Sequence, residues 1–400
     1  MNTSNEQNFY GLGIAPAILA VIERLKFVVP TKIQFQAIPI ALQGQDVMGI
    51  AQTGTGKTMA FGIPLIQRLA QVKGKALIVV PTRELAIQVD ESLRKIATAS
   101  GLRTSVLIGG DSMPKQIQSL KLHPRILIGT PGRLIDHMEQ RTINLNDAHI
   151  LVLDEADRML DMGFGPQIAK LLKQVPQDRQ TMLFSATMPE TIMGIARNYM
   201  KLPVRVEVAP SGTAADNLVQ ELFIVRKELK SQLLESMLGK YQGPVLIFCR
   251  TKFGVARLTK QLRHSKHNAA ETHSDRSLSQ RKEALEGFKR GKYRILVATD
   301  IAARGIDVKG IELVINYDLP DDPENYVHRI GRTGRAGFAG CAISFATPDQ
   351  RLDVKNIERI LNKTLPVTES HPTIPLERFH QPKSPVMAFQ TPRRLRLRRR

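Results

Sequence analysis

Short apolar runs rich in Val, Ile and Leu recur along this chain, each followed by a stretch of helical periodicity, and few folds accept that alternation. The runs are "DVMGIA", "ALIVVP", "RTSVLIGG", "RILIGTP", "HILVLDEAD" and "TMLFSAT", then "PVLIFCR", "RILVATD", "ELVINYD" and "CAISFAT". Strands that alternate with helices build parallel sheets covered on both faces. The pattern pauses at "VAPSGTAADN", a turn-prone stretch of small residues suited to a linker. A length of 400 residues accommodates two such units. We therefore expect α/β domains at 1–208 and 218–365, joined by a linker at 209–217. From 366 to 400 the sequence turns to Pro, His and Arg without periodicity, and a basic, disordered tail is expected.

The formal charge of +20, from 57 basic and 37 acidic residues, points to a polyanionic partner such as nucleic acid. Six arginines crowd the last ten residues, "TPRRLRLRRR", and the rest of the excess is spread over the body. The two cysteines, Cys249 and Cys341, sit in apolar segments and are expected to be buried, reduced thiols. No apolar run approaches the ~20 residues that span a bilayer, and the N-terminus lacks a charged start before an apolar core. A soluble, cytoplasmic protein without membrane contact is expected.

"AQTGTGKT" follows a short strand and precedes a segment of helical length. Glycines 54 and 56 let backbone N–H groups turn toward a phosphate, Lys57 supplies a point charge, and Thr58 is placed to hold magnesium at the helix N-terminus. The general phosphate-loop pattern begins with Gly, where this chain has Ala51. Such a loop needs a carboxylate from a neighbouring strand end. In "HILVLDEADRML", Asp154 fits that place as a metal ligand, with Glu155 beside it to orient or deprotonate water. Asp157, taken alone, reads as part of a solvated turn that opens a helix.

"AQTGTGKT" beside "DEAD" resembles the DEAD-box family of ATP-dependent RNA helicases, of bacterial type and with a likeness to the RNA helicase E subgroup. The resemblance runs from about Phe9 to Thr347. It implies two tandem RecA-like, doubly wound parallel-sheet domains with a nucleotide cleft between them. "FVVPTKIQ" is similar to the family's adenine-reading motif, with Gln34 the specificity residue, Phe27 its aromatic and Phe9 the isolated upstream aromatic. A primary amide offers a donor and an acceptor together, which matches adenine's edge. Thr53, Gly54, Thr55, Gly56, Lys57 and Thr58 would cradle the phosphates. Lys26 stands where the family usually has Gly.

The loops "PTREL", "GG" and "TPGR" resemble those that grip the RNA backbone, here through Thr82, Arg83, Gly110, Thr130 and Arg133. "SAT", with Ser185 and Thr187, resembles the motif that couples hydrolysis to unwinding. In the second half, "DDPENYVHRIGRTGRAG" begins as a capped helix, and helical spacing puts His328, Arg332 and Arg335 on one face. His328 would couple the domains, and the two arginines would stabilise charge on the transferring phosphoryl group. "ATDIAARGID" implies that Thr299 and Arg304 face RNA and that Asp307 helps hold the nucleotide. Arg250 and Arg281 match further RNA-contacting positions, while Leu278 falls where a glutamine is common.

Taken together, the resemblance implies an RNA-stimulated ATPase, with ATP and Mg2+ bound between domains that close on RNA to separate short duplexes, acting as a monomer. Two other readings share these motifs: an ATP-dependent RNA clamp without productive unwinding, and a helicase directed to DNA.

Overall fold

The computed structural model describes residues 8–52, 54–208, 218–303, 308, 310–334 and 340–380. Its first sheet holds β1 (Val47–Ile50), β2 (Lys75–Val79), β3 (Thr104–Leu107), β4 (Ile126–Gly129), β5 (Ala148–Asp154), β6 (Gln180–Ser185) and β7 (Val204–Glu207) in the order β3-β4-β2-β5-β6-β1-β7. The second holds β8 (Leu218–Ile224), β9 (Val245–Phe248), β10 (Ala269–Thr272), β11 (Ile295–Ala298), β12 (Leu313–Asn316) and β13 (Gly340–Ala346) in the order β10-β11-β9-β12-β13-β8. Every pairing between strands is parallel. These are the two α/β sheets that the alternation predicts.

Burial on both faces explains the near-continuous apolar character of the central strands. Successive side chains of β5 enter different cores: Ile150 and Val152 pack on one side of the sheet, Leu151 and Leu153 on the other. In β9, Val245 and Ile247 alternate in the same way with Leu246 and Phe248. Each fully buried side chain of this size contributes about 1.5–3 kcal/mol, so central strands tolerate polar residues poorly. Cys249 and Cys341 are free and buried, and burial raises both thiols above their ordinary value.

The expectation of an unpacked tail from 366 is corrected for residues 366–380. Leu222 of the edge strand β8 donates its N–H to Pro366 and accepts from Thr368, and Glu377 N–H donates to Ile224 O. Ile374 is buried in the second domain's core, and Phe379 packs on a neighbouring cluster. An edge strand carries unpaired backbone groups, and this segment supplies partners for some of them. Residues 381–400, with the terminal arginines, lie outside the described residues, as does the expected linker 209–217.

Candidate active site

In the first sheet β5, β6 and β1 are neighbours, so the loops after them meet at one edge. In open α/β sheets that carboxyl edge is where ligands bind. Gly54 and Gly56 adopt φ of +84° and +91°, and a Cβ on Gly56 would strike the Gln34 amide. Gly56 opens the helix Lys57–Gln71, whose first N–H groups have no intrahelical acceptor. Lys57 is buried and donates from Nζ to Ala51 O at 2.9 Å, while Thr55 donates to Gln52 O at 2.7 Å. Ala51 is not among the residues with positive φ, so its departure from Gly carries no backbone cost.

Gln34 is buried against this loop. Its Nε2 donates to Gly56 O at 3.0 Å and its Oε1 accepts from Thr31 N–H at 3.0 Å, closing a capping box on the helix Lys32–Leu42. Phe27, Gln34, Gly54, Gly56, Lys57, Thr58, Asp154, Glu155 and Arg332 line one cavity of about 440 Å³, a size suited to a nucleotide. Phe9 is placed otherwise: it is 4% exposed within the hydrophobic core and is not among the lining residues. Lys26 adopts φ of +60° after the helix Pro16–Arg24, so it keeps the left-handed turn that Gly would give.

The three carboxylates of "DEAD" are all 2% exposed. Burial is the largest influence on Asp154 and raises it to about 6; Lys57 pulls against it and Glu155 adds to it. Glu155 holds a left-handed backbone, φ +54°, at the start of the helix Ala156–Asp161, and its Oε2 pairs with Arg158 Nη1 at 2.9 Å. Such strain in a non-glycine residue persists only where its surroundings hold it. Asp157 is not the solvated turn residue that the sequence suggests. Its Oδ2 accepts from the N–H groups of Ala186 and Thr187 at 2.9 Å, and its own N–H donates to Ser185 Oγ at 3.3 Å. Burial acts to raise Asp157, but the His328 imidazole, the charges of Lys57 and Arg158 and the Thr187 N–H bring it below its ordinary value. Ser185 in turn accepts at its carbonyl from Ala51 N–H at 2.9 Å, so the three loops form one bonded unit.

From the second domain comes the helix Pro323–Ile330, capped by Asp322, whose Oδ1 accepts from Glu324 N–H at 3.1 Å. The expectation that this helix carries His328, Arg332 and Arg335 on one face is corrected. The helix ends at Ile330, with Gly331 as its C-cap, and Gly334 follows at φ +68°. Arg332 lies in the turn beyond, donates from Nε to His328 O at 3.2 Å, and lines the same cavity as Lys57 and Asp154. Arg335, like Thr53, Arg304 and Asp307, falls outside the described residues.

Two arginines that sequence reasoning passed over organise this region. Arg158, 1% exposed, joins Glu155 to His328 Nδ1 at 3.2 Å across the domain boundary. Arg329, also 1% exposed, bonds Asp300, Asn316 Oδ1 and the Asp318 carbonyl, and lies over the Phe248 ring. Thr187 Oγ1, at 3.5 Å from Glu324 Oε2, is a second crossing point.

The other half of the first sheet's edge, β3-β4-β2, carries the expected RNA-gripping loops. Thr82 caps the helix Arg83–Ala97, accepting from Leu85 N–H at 3.2 Å. The Arg83 guanidinium packs against Gly110, Arg133 donates to Asp111 O at 3.2 Å, and Thr130 precedes the helix Pro131–Glu139 without a side-chain cap bond. Arg281 of the second domain pairs with Glu84 at 3.0 Å. Burial lowers Arg83 below its ordinary value, and Arg281 and Arg133 add to that by repulsion. Three guanidiniums thus share one seam, an arrangement suited to a phosphate backbone. Thr299 is half-buried after β11, whereas Arg250 turns to Asp321 at 3.2 Å on its own domain.

Magnesium fits the chemistry of the cavity. A buried carboxylate raised by burial and a neighbouring negative charge is eased by a divalent cation. Among the described residues no group of three or more His, Cys, Asp or Glu is arranged to hold a metal by itself. Thr58 and Asp154, with phosphate oxygens, would supply the sparse protein ligation that magnesium accepts.

The DEAD/DEAH box helicase model matches residues 31–195, and the helicase conserved C-terminal domain model matches 228–337. The DEAD-box ATP-dependent RNA helicase CshA of Geobacillus kaustophilus is 45% identical over 362 residues, covering 89% of this chain and 77% of that protein. The chain belongs to the DEAD-box ATP-dependent RNA helicases. Among solved structures, S. cerevisiae Dbp5 bound to RNA and ADP BeF3 is 31% identical with a TM-score of 0.82, covering 90% of this chain and 95% of that one. A DEAD box protein from the hyperthermophile Methanococcus jannaschii is 38% identical, yet its TM-score is 0.54 over 90% of this chain and 99% of that one. The overall similarity is thus higher to the RNA-bound Dbp5 than to the protein of higher sequence identity.

Proposed function

We propose that this helicase closes its domains, expected at 1–208 and 218–365, on ATP and RNA to separate short duplexes locally and remodel RNA or RNA–protein complexes. The observation that supports it best is Arg332, a second-domain residue lining the cavity formed by Lys57, Thr58, Asp154 and Glu155. Such a site is complete only with the domains together, so nucleotide chemistry and domain position are linked. The likeness to the RNA-bound and ADP BeF3-bound Dbp5 supports the same reading.

Each residue then has a role. Gln34 and Phe27 contact the base, and Gly54, Gly56 and Lys57 hold the phosphates. Magnesium, held by Thr58, Asp154 and the phosphates, supplies charge neutralisation when bound. Glu155 takes a proton from the attacking water, and Arg332, with Arg335, stabilises charge on the γ-phosphoryl group as ADP leaves. Ser185, Thr187 and His328 relay domain position to that site. Thr82, Arg83, Gly110, Thr130, Arg133, Arg250, Arg281, Thr299 and Arg304 track the RNA backbone, which carries little sequence information. One chain supplies both halves of the cleft, so the monomer suffices, and two buried free thiols fit a cytoplasmic setting.

A short RNA duplex with a fluorescent strand tests this directly. Strand release with ATP and magnesium, absent with ADP, is expected. ATP-dependent RNA retention without strand release would instead make the protein a clamp, and equal activity on DNA duplexes would remove the RNA specificity.

A further inference from the structure

The helix Leu278–Lys289 of the second domain meets the helix Arg83–Ala97 of the first through one of its faces. Arg281 lies 3.0 Å from Glu84, and Lys282 lies 4.0 Å from Glu91. Leu278 precedes them by three and four residues and so shares their face. It is half-buried and packs against the core of the first domain, although it belongs to the second. The Lys282–Glu91 pair is largely exposed and contributes little, whereas the Arg281–Glu84 pair is shielded from water.

The resemblance implies a glutamine at the place of Leu278, and nearby Gln280 does not stand in for it. Gln280 is exposed, its Oε1 accepts from Ser277 N–H at 3.0 Å, and its own N–H donates to Ser277 Oγ, so it is engaged in capping its own helix. A leucine offers RNA no hydrogen bond. Its gain comes from leaving water, and its partner surface lies on the other domain, so that gain exists only when the domains meet.

We propose that Leu278 is an apolar latch between the domains: a positioning residue that favours closure and so brings Arg332 to the nucleotide cavity with less help from RNA. The proposal rests on the closing mechanism above. A side chain that stabilises only the closed state lowers the RNA concentration needed to populate it, without altering the site once closed.

The test uses the full chain with a fluorescent donor on one domain and an acceptor on the other, titrated with single-stranded RNA in the presence of AMP-PNP. The same RNA is titrated in steady-state ATP hydrolysis. Leu278→Ala and Leu278→Gln are both expected to raise the half-saturating RNA about five-fold, the size appropriate to half-burying one leucine. They should leave turnover at saturating RNA unchanged, and Leu278→Met should restore the wild-type titration. An unchanged half-saturation in Leu278→Ala would overturn the latch. So would tighter RNA binding in Leu278→Gln with Leu278→Ala neutral, because the position would then be a lost RNA contact. A wild-type transfer signal that does not move with AMP-PNP and RNA would overturn the closing mechanism itself, and the latch with it.

Discussion

Arg158 and His328 lie 3.2 Å apart across the boundary between the two domains, and the other terminal nitrogen of Arg158 lies 2.9 Å from Glu155. Arginine always donates, so His328 Nδ1 is the acceptor in this contact. One buried guanidinium therefore links the proposed general base to the second domain. We predict that His328→Ala lowers RNA-stimulated turnover about tenfold or more while leaving ATP affinity in the absence of RNA unchanged. A double-mutant cycle with Arg158→Lys should show strong coupling, and additive effects would break the proposed link.

Glu155→Gln should keep RNA and ATP binding within about two-fold and lower hydrolysis at least a hundredfold, because the amide retains an oxygen for Arg158 but takes no proton from water. Equilibrium binding and steady-state turnover measured on one preparation check this. Near-normal turnover would remove Glu155 from its role.

For Asp154, stability and function pull in opposite directions. Its folded value of about 6 lies above the ordinary 3.8, so the protonated form stabilises the fold. That contribution is complete below about pH 4 and is lost as pH rises through about 6. Asp154→Asn is neutral at every pH, so without magnesium or nucleotide it should be more stable than the wild type at about pH 8, by up to about 3 kcal/mol. Denaturation at the two pH values checks this, with the difference vanishing at about pH 4. A variant less stable at about pH 8 would contradict the burial account.

Lys26 holds φ of +60° at the end of the helix Pro16–Arg24, where its N–H donates to Glu23 O at 2.7 Å. Glycine takes that conformation without a Cβ penalty, so Lys26→Gly should raise stability by about 1 kcal/mol. Thermal unfolding gives the answer, and a destabilised variant would mean that the Lys26 side chain makes a contribution of its own.

Burial in the sheets decided what could be read from the sequence. The strands read as apolar runs include every interior strand, whereas β7, β8 and β10 escaped notice, and all three lie at sheet edges. "VRVE" is exposed at Arg205 and Glu207, whereas "AAET" is buried throughout and carries a charged residue, Glu271, that pairs with Arg276. Residues 366–380 were missed for a related reason: Val367, Ile374, Leu376 and Phe379 are scattered among Pro and His, so their packing leaves no period. At the site, motif spacing located Lys57, Asp154 and Glu155 but not the work of Asp157 and Arg158. A charged residue beside a motif looks solvated until its partners from Ala186, Thr187 and His328 are seen. Gly331 carried a signal that could have stopped the predicted helix before Arg332.

We propose that RNA completes an ATP-hydrolysing site shared by two domains. Steady-state ATP hydrolysis with magnesium, compared without nucleic acid, with single-stranded RNA and with single-stranded DNA of equal length, tests it most directly. Strong stimulation by RNA, little by DNA, and its loss in Arg332→Ala are predicted. Hydrolysis that is equally fast without RNA, or that survives Arg332→Ala, would contradict the account.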